Sequence, residues 1–294
     1  MHTLSQAKSW QTPKTLLMLV SIVVPLAFAS WQALLNNFVI EQAAFTGAEI
    51  GLLQSVREIP GFLAFTAIFV LLLLREQTFM VLALVMLTVG VAITGFFPSV
   101  FGLLSTTLLM SIGFHYFETL KQSLALQWLS KDEAPEVLGK LISVGALASL
   151  ITYGALWLLL EQFALAFKWI YLLTGSAALA LVVFIWLGFP NFESQTLQHK
   201  KLILRKRYWL YYALTFMSGA RRQIFVVFAG FLMVEKFHYS AADITLLFLI
   251  NYLFNWLFAK KIGRLIGLIG ERKALIFEYV GLVLVFVGYA VVES

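Results

Sequence analysis

The chain contains no cysteine. That absence excludes a disulfide framework, a thiolate metal site and a cysteine nucleophile. Charge is scarce as well: Asp, Glu, Lys and Arg are 12% of the 294 residues, about half of the quarter usual in soluble domains. Histidine occurs only at positions 2, 115, 199 and 238. No His-Glu-x-x-His is present, and in His115-x-x-Glu118 the next residue is Thr119 where a second histidine would be needed, so a catalytic metal has no ligand set. A Gly-x-x-x-x-Gly-Lys-Ser/Thr loop is missing too, which excludes an ATPase of the chain's own. No cofactor is implied. The polar intervals are too short to hold an enzyme's active site.

What fills the chain is apolar: 61% hydrophobic residues and a mean hydropathy of +0.89. Nine long apolar stretches cover 15–40, 49–74, 78–97, 100–127, 137–160, 167–189, 208–234, 243–260 and 274–292. A run of about 20 such residues crosses a hydrocarbon core of about 30 Å as a helix. Barrel strands would alternate in segments of about 10 residues, and Phe69–Leu74 does not alternate. The chain therefore reads as an all-α polytopic membrane protein. The first run, Thr15 to Val39 after Lys8 and Lys14, exceeds a signal-peptide core of about 7–15 residues and reads as an uncleaved span.

The net charge of +6 belongs to loops, so it points to membrane orientation instead of nucleic acid. A cytoplasmic N-terminus puts Lys8, Lys14, Arg75, Lys131, Lys140, the Lys200–Arg207 cluster, Lys260, Lys261, Arg264, Arg272 and Lys273 inside, and leaves only Lys168 and Lys236 outside. Lys and Arg resist translocation, which sets this topology. The longest polar interval, PNFESQTLQHKKLILRKR over 190–207, reads as a basic cytoplasmic linker between a six-span bundle (1–189) and an incomplete three-span bundle (208–294).

Ionisable groups at bilayer depth cost at least about 2.5–3.5 kcal/mol each, so those present face a cavity or a partner. On span four, Ser111, His115, Glu118 and Gln122 follow one another at helical spacing and share a face, with Lys121 within reach of Glu118. That stripe reads either as a cavity wall with Glu118 or His115 carrying a proton, or as a Glu118–Lys121 pair beside a hydrogen-bonded histidine. Span seven carries Arg221 and Arg222 about half-way across, suited to gripping an anion or to pairing with Glu58 or Glu118. Span two carries Arg57 and Glu58 just before Pro60-Gly61, with Gln54 one turn earlier. Proline there favours a kink, and neighbouring positions on a helix diverge, so Arg57 and Glu58 are expected to have different partners. Gln32 with Asn36, and Asn251 with Asn255, are spaced i,i+4 and read first as interhelical hydrogen-bond contacts.

Six spans, a basic inner linker and further spans resemble the major facilitator superfamily of secondary transporters. The stretch GRLIGLIGERKAL (263–275) is similar to that family's inner-loop signature: Gly263, Leu265, Gly270 and Arg272 match, and Lys273 extends the basic cluster. Gly267, Leu268 and Glu271 depart from it, and the equivalent loop after span two is reduced to Arg75-Glu76-Gln77. The family generally has twelve spans, so three spans after the linker read first as a truncation after the ninth span, and otherwise as a shortened relative. The resemblance implies alternating access, with spans one, four and seven lining the path. Arg57, Lys121, Arg221 and Arg222 stand against Glu58, Glu118 and Glu278, one positive charge in excess. That favours a small anionic or zwitterionic solute moved with H+, by symport or antiport, in the plasma membrane (the inner membrane of a bacterium). The partners expected are lipid, solute and proton. Two other readings stay open: an intramembrane enzyme such as a lipid-linked transferase, and a non-transporting scaffold.

Overall fold

Every backbone amide inside a bilayer must find its partner within the chain, and helices achieve this locally. The computed structural model follows that rule. It describes residues 9–130, 133–193 and 205–291, with the side chains of 135–136, 218, 220–227, 255, 259–268, 271 and 289–290 outside that description. Ten α-helices appear among the described residues: α1 Pro13–Ala43, α2 Gly47–Phe62, α3 Ala67–Val70, α4 Glu76–Thr94, α5 Val100–Trp128, α6 Ala134–Glu161, α7 Phe167–Gly188, α8 Trp209–Glu235, α9 Ala241–Ile269 and α10 Glu271–Val291. Seven stretches within the described residues are long and apolar enough to span a membrane, α2 and α3 counting as one. The second and eighth expected spans differ in detail from the sequence reading, and so does the loop between the eighth and the last.

Helix starts are set by side-chain oxygens that take up orphan amides. Thr12 accepts from Thr15 N at 3.2 Å, with Pro13 in the first turn. Ser99 accepts from Gly102 N at 3.1 Å. Two capping boxes start α2 and α9: Thr46 N donates to Glu49 Oε2 at 2.9 Å, and Ser240 N donates to Asp243 Oδ2 at 2.9 Å.

The continuous helix expected over 49–74 is broken. α2 ends at Phe62, two residues past Pro60, and a short 3₁₀ turn at Ala64–Thr66 leads into α3. Proline removes one amide donor and clashes with the preceding turn, so the irregular segment follows it. The opposite correction applies near the C-terminus. The signature stretch does not form a loop, because α9 runs on through Gly263 and Leu265 to Ile269. The chain turns only at Gly270, whose φ of +83° is a left-handed conformation that glycine adopts at no steric cost.

In the first seven helices, α4 packs on α5 and α7, α1 on α6 and α7, and α2 on α5. The α4–α5 seam is tight because glycines face it. A Cβ on Gly113 would lie 2.3 Å from Leu87 N and 2.4 Å from Ala83 O, and one on Gly90 would lie 2.7 Å from Met110 N. Within the seam Leu84, Leu87, Leu103 and Met110 are buried. Between α1 and α7, Thr174 Oγ1 lies 2.7 Å from Ser30 Oγ, which donates to Ala27 O. The outward faces carry exposed Phe62, Leu73, Phe101 and Leu187, as a surface solvated by lipid requires.

On the linker side of the bundle, side-chain amides tie the loops together. Gln77 Nε2 donates to Pro190 O at 2.8 Å and its Oε1 accepts from Phe192 N at 2.9 Å. Gln127 Nε2 reaches the Glu76 carboxylate. Lys14 Nζ meets Glu133 Oε2 at 2.5 Å, and this contact, with the Ser130 amide, holds the exposed Glu133 carboxyl below its ordinary value of 4.5. The shortened Arg75-Glu76-Gln77 loop therefore grips the start of the linker with an amide. Residues 194–204 of the linker, with Lys200 and Lys201, lie outside the described residues, as do Lys8, Lys131, Asp132 and Glu293.

Two outcomes are expected. Gly113→Ala lowers stability by about 1–3 kcal/mol through overpacking against backbone atoms, whereas Gly154→Ala, with open space around it, does not; thermal unfolding in detergent compares them. Glu133→Gln lowers the melting temperature at neutral pH. Because the folded carboxyl is depressed, the wild-type advantage is present above 4.5 and disappears as pH falls through the folded value. Equal melting temperatures of the two proteins at pH 7 would dismiss the Lys14 contact as a contributor.

Candidate functional site

Where α1 and α2 face α8 and α9, the packing leaves a cavity of about 360 Å³. Its polar lining is Gln32, Asn36, Gln54, Arg57 and Asn251; its aromatic lining is Trp31, Phe248 and Tyr252. Gln32 and Asn36 of α1 and Asn251 of α9, read first as helix–helix contacts, thus belong to a cavity wall. Helical spacing puts Gln32 and Asn36 on one face of α1, and the face they share turns toward α8 and α9. Among the described residues this cavity is lined from α1, α2, α8 and α9, and α5 contributes no residue to it.

Arg57 is the charged member of the described lining. Its guanidinium carbon stands 5.6 Å from the centre of the Trp31 ring, a cation–π distance. Its Nε and a terminal nitrogen donate to Glu58 Oε1 at 3.0 and 2.6 Å. The expectation of separate partners therefore fails. Two neighbouring side chains leave a helix about 100° apart, but an arginine is long enough to fold back along the surface to the next residue. Glu58 in turn faces His115, with Oε2 4.0 Å from Nε2. Ser111 Oγ donates to the Arg57 carbonyl. His115 comes this close because Gly61 has no side chain: a Cβ there would lie 2.7 Å from His115 Cε1.

The span-four stripe is consequently divided. Ser111 and His115 serve the α2 cluster. Glu118 and Gln122 look instead into a second cavity of about 490 Å³ between α1, α5 and α6, lined also by Ser21, Pro25 and Lys121. There Lys121 Nζ donates to Glu118 Oε1 at 2.6 Å and lies 5.1 Å from the Phe117 ring centre. A helix that touches two neighbours presents successive turns of one stripe to each.

The remaining expected residues are placed by backbone. Arg221 and Arg222 lie within α8, but their side chains fall outside the described residues, as do those of Ser218, Asn255, Gly263 and Leu265. Gly270 lies between α9 and α10, and Arg272 and Lys273 are exposed in the first turn of α10. Among the described residues no group of three His, Asp or Glu side chains gathers as a metal site.

Two features of the cavity were not singled out in the sequence. Trp31 is 1% exposed and Gln54 8%, yet Trp31 Nε1 and Gln54 Oε1 have no hydrogen-bond partner among the described residues. An unmade buried bond costs about 1–3 kcal/mol. A tryptophan in an apolar run carries no signal of such a vacancy; Gln54, a polar residue one turn before Arg57, carried part of it.

The seam around the cavity is unequal along its length. At the end remote from the linker, Asn37 Nδ2 donates to Tyr239 O at 2.8 Å, Gly230 meets Asn36, and Phe231, Val234 and Ile244 are buried. Tyr153 of α6 stacks there on Phe248 and Tyr252 of α9, with centroids 5.2 and 5.3 Å away. At the linker end, residues 205–217 are exposed on every side.

Compared with known proteins, the chain matches no curated protein and no solved structure. The family model of the Major Facilitator Superfamily matches residues 16–294. A helical membrane protein with a polar cavity between α1, α2, α8 and α9, and with this match along nearly all of its length, belongs to the major facilitator superfamily of small-solute transporters.

Proposed function

We propose that this protein moves a small anionic or zwitterionic solute by alternating access and couples the movement to a proton. The observation that carries the reading is Arg57, a permanent charge on the wall of a cavity between two sets of helices. With the N-terminus in the cytoplasm, as the basic loops imply, the Asn37–Tyr239 end of the seam faces out. The membrane of this proposal is a plasma membrane (the inner membrane in a bacterium).

The coupling follows from charge accounting. With Glu58 ionised, the Arg57 guanidinium is engaged and has little left for an anion. A proton arriving on Glu58, with His115 as the neighbouring relay, neutralises the carboxylate and frees the guanidinium for a bidentate grip on a solute carboxylate. The empty pair is neutral, and so is the loaded set of protonated Glu58, Arg57 and anion. Each can pass through a closed, low-dielectric intermediate without an unpaired charge, whose burial would be prohibitive. The half-loaded combination, Arg57 without either anion, cannot. This exclusion makes solute and proton cross together, as symport. Glu118, neutralised by Lys121 in the other cavity, has no part in this exchange.

Three variants in proteoliposomes, tested with radiolabelled small carboxylates, check the scheme. Arg57→Gln weakens anion binding 10- to 100-fold, the loss of a charge-assisted bond of about 1.5–3 kcal/mol. Glu58→Gln keeps counterflow of the carboxylate but loses accumulation driven by a pH gradient. Glu118→Gln keeps both. Gradient-driven accumulation by the Glu58→Gln protein at the wild-type rate would end the coupling role given to Glu58.

A further inference from the structure

We infer that the second cavity, between α1, α5 and α6, is a lipid site, and that its occupant is a phospholipid with an ethanolamine headgroup. The cavity has two kinds of wall. Glu118, Lys121 and Gln122 form a polar patch, and the aliphatic Leu126 and Ile142 belong to an apolar remainder. Those two side chains are 64% and 74% exposed. Aliphatic surface left open on membrane-spanning helices is solvated by acyl chains, because water would penalise it. α5 and α6 are consecutive helices that touch only slightly, whereas α4 and α5 pack closely. The cavity thus opens sideways between α5 and α6, toward lipid. Its height suits a headgroup. Trp128, the last residue of α5, meets Phe192 at the start of the linker with ring centres 5.6 Å apart, so this end of α5 is the linker side. From Lys121 to Trp128 is about 10 Å along the helix. α5 has 29 residues, roughly 43 Å, and overruns a hydrocarbon core of ~30 Å. A lysine at that depth reaches the headgroup layer by extending.

The charges select the headgroup. Lys121 Nζ donates to Glu118 Oε1 at 2.6 Å, and the two side chains are 26% and 41% exposed. An ammonium group has three hydrogens and a carboxylate accepts several bonds, so this one bond uses only part of what each can make. An ethanolamine headgroup carries a phosphate and an ammonium group joined by two carbons. Laid along the pair, its phosphate meets Lys121 and its ammonium meets Glu118, which closes a ring of four charges of alternating sign. Each new contact is a charge-assisted hydrogen bond, and the whole is neutral, as a poorly hydrated setting demands. A choline headgroup has no N–H to give Glu118. A glycerol headgroup has no cation and adds a net negative charge beside the carboxylate. The Gln122 amide on the same wall offers a donor to phosphate or ester oxygens. At about 490 Å³ the cavity takes the head and glycerol portion, and the acyl chains leave past Leu126 and Ile142. Seated there, the lipid fills the gap that direct packing leaves between α5 and α6.

The test is native mass spectrometry of the full chain released from detergent micelles that carry equal amounts of ethanolamine, choline and glycerol phospholipids with the same acyl chains. The readout is lipid retained per protein, which does not depend on transport. Ethanolamine lipid is expected to be retained about threefold more than either of the others, the order of effect of one partly exposed charge contact. Retention should fall stepwise as the ethanolamine nitrogen is methylated once, twice and three times, a series that needs no variant. Glu118→Gln should bring ethanolamine lipid down to the choline level, and Lys121→Gln should lower retention of all three. Equal retention of the three lipids, a preference for the glycerol lipid, or a flat methylation series overturns the assignment. So does an ethanolamine preference that survives in Glu118→Gln protein melting at the wild-type temperature, because the lipid would then be held elsewhere.

Discussion

A guanidinium inside an apolar protein has to be compensated, and the arrangement around Arg57 is organised by that need. Compensation comes from the Glu58 carboxylate at 2.6 Å, from the face of Trp31 at 5.6 Å, and from the opening of the cavity itself. Each constrains something else. Glu58 brings His115 to within 4.0 Å, His115 requires a glycine at position 61, and Trp31 must lie buried under the arginine with its indole N–H unpaired among the described residues. Because the compensation is local and ionic, a proton can alter it. An aliphatic core would have no such lever.

The molecule separates rigidity from movement by side-chain size. Between α4 and α5, glycines let backbones touch, and bulk cannot be added without displacing main-chain atoms. Such a seam has dense dispersion contacts and one good geometry. The boundary between α1/α2 and α8/α9 is made differently, from amides, aromatic side chains and the hydrogen bond from Asn37 to Tyr239. Contacts of that kind exchange for water at modest cost. A transporter needs a boundary that reopens, and polar contacts around a cavity supply one.

Much of this was legible in the residues. Apolar runs gave the helices, since run length and hydropathy are local properties. Arg57, Glu58, His115, Asn36 and Asn251 stood out because polar groups are costly at bilayer depth. What the residues did not disclose was partnership. Ser111, His115, Glu118 and Gln122 share one face of α5, yet two go to α2 and two to a cavity beside α6. Arg57 and Glu58, expected to diverge, are joined. The signature near 263–275 had the residues of a loop, yet α9 absorbs its first half because only Gly270 takes a left-handed conformation.

Taken alone, the sequence determined that the chain is helical, embedded in lipid, oriented by its basic loops, and equipped with a few costly charges. These follow from transfer energies and helical periodicity, which depend on a residue and its near neighbours. The tertiary structure decided which helices enclose the cavity, that Gln32, Asn36 and Asn251 line it, and that Trp31 and Gln54 keep unmade bonds beside it. Those facts depend on how helices far apart in sequence approach one another. The approach is set by the sum of many weak contacts along whole helix faces, and no single residue or spacing encodes that sum.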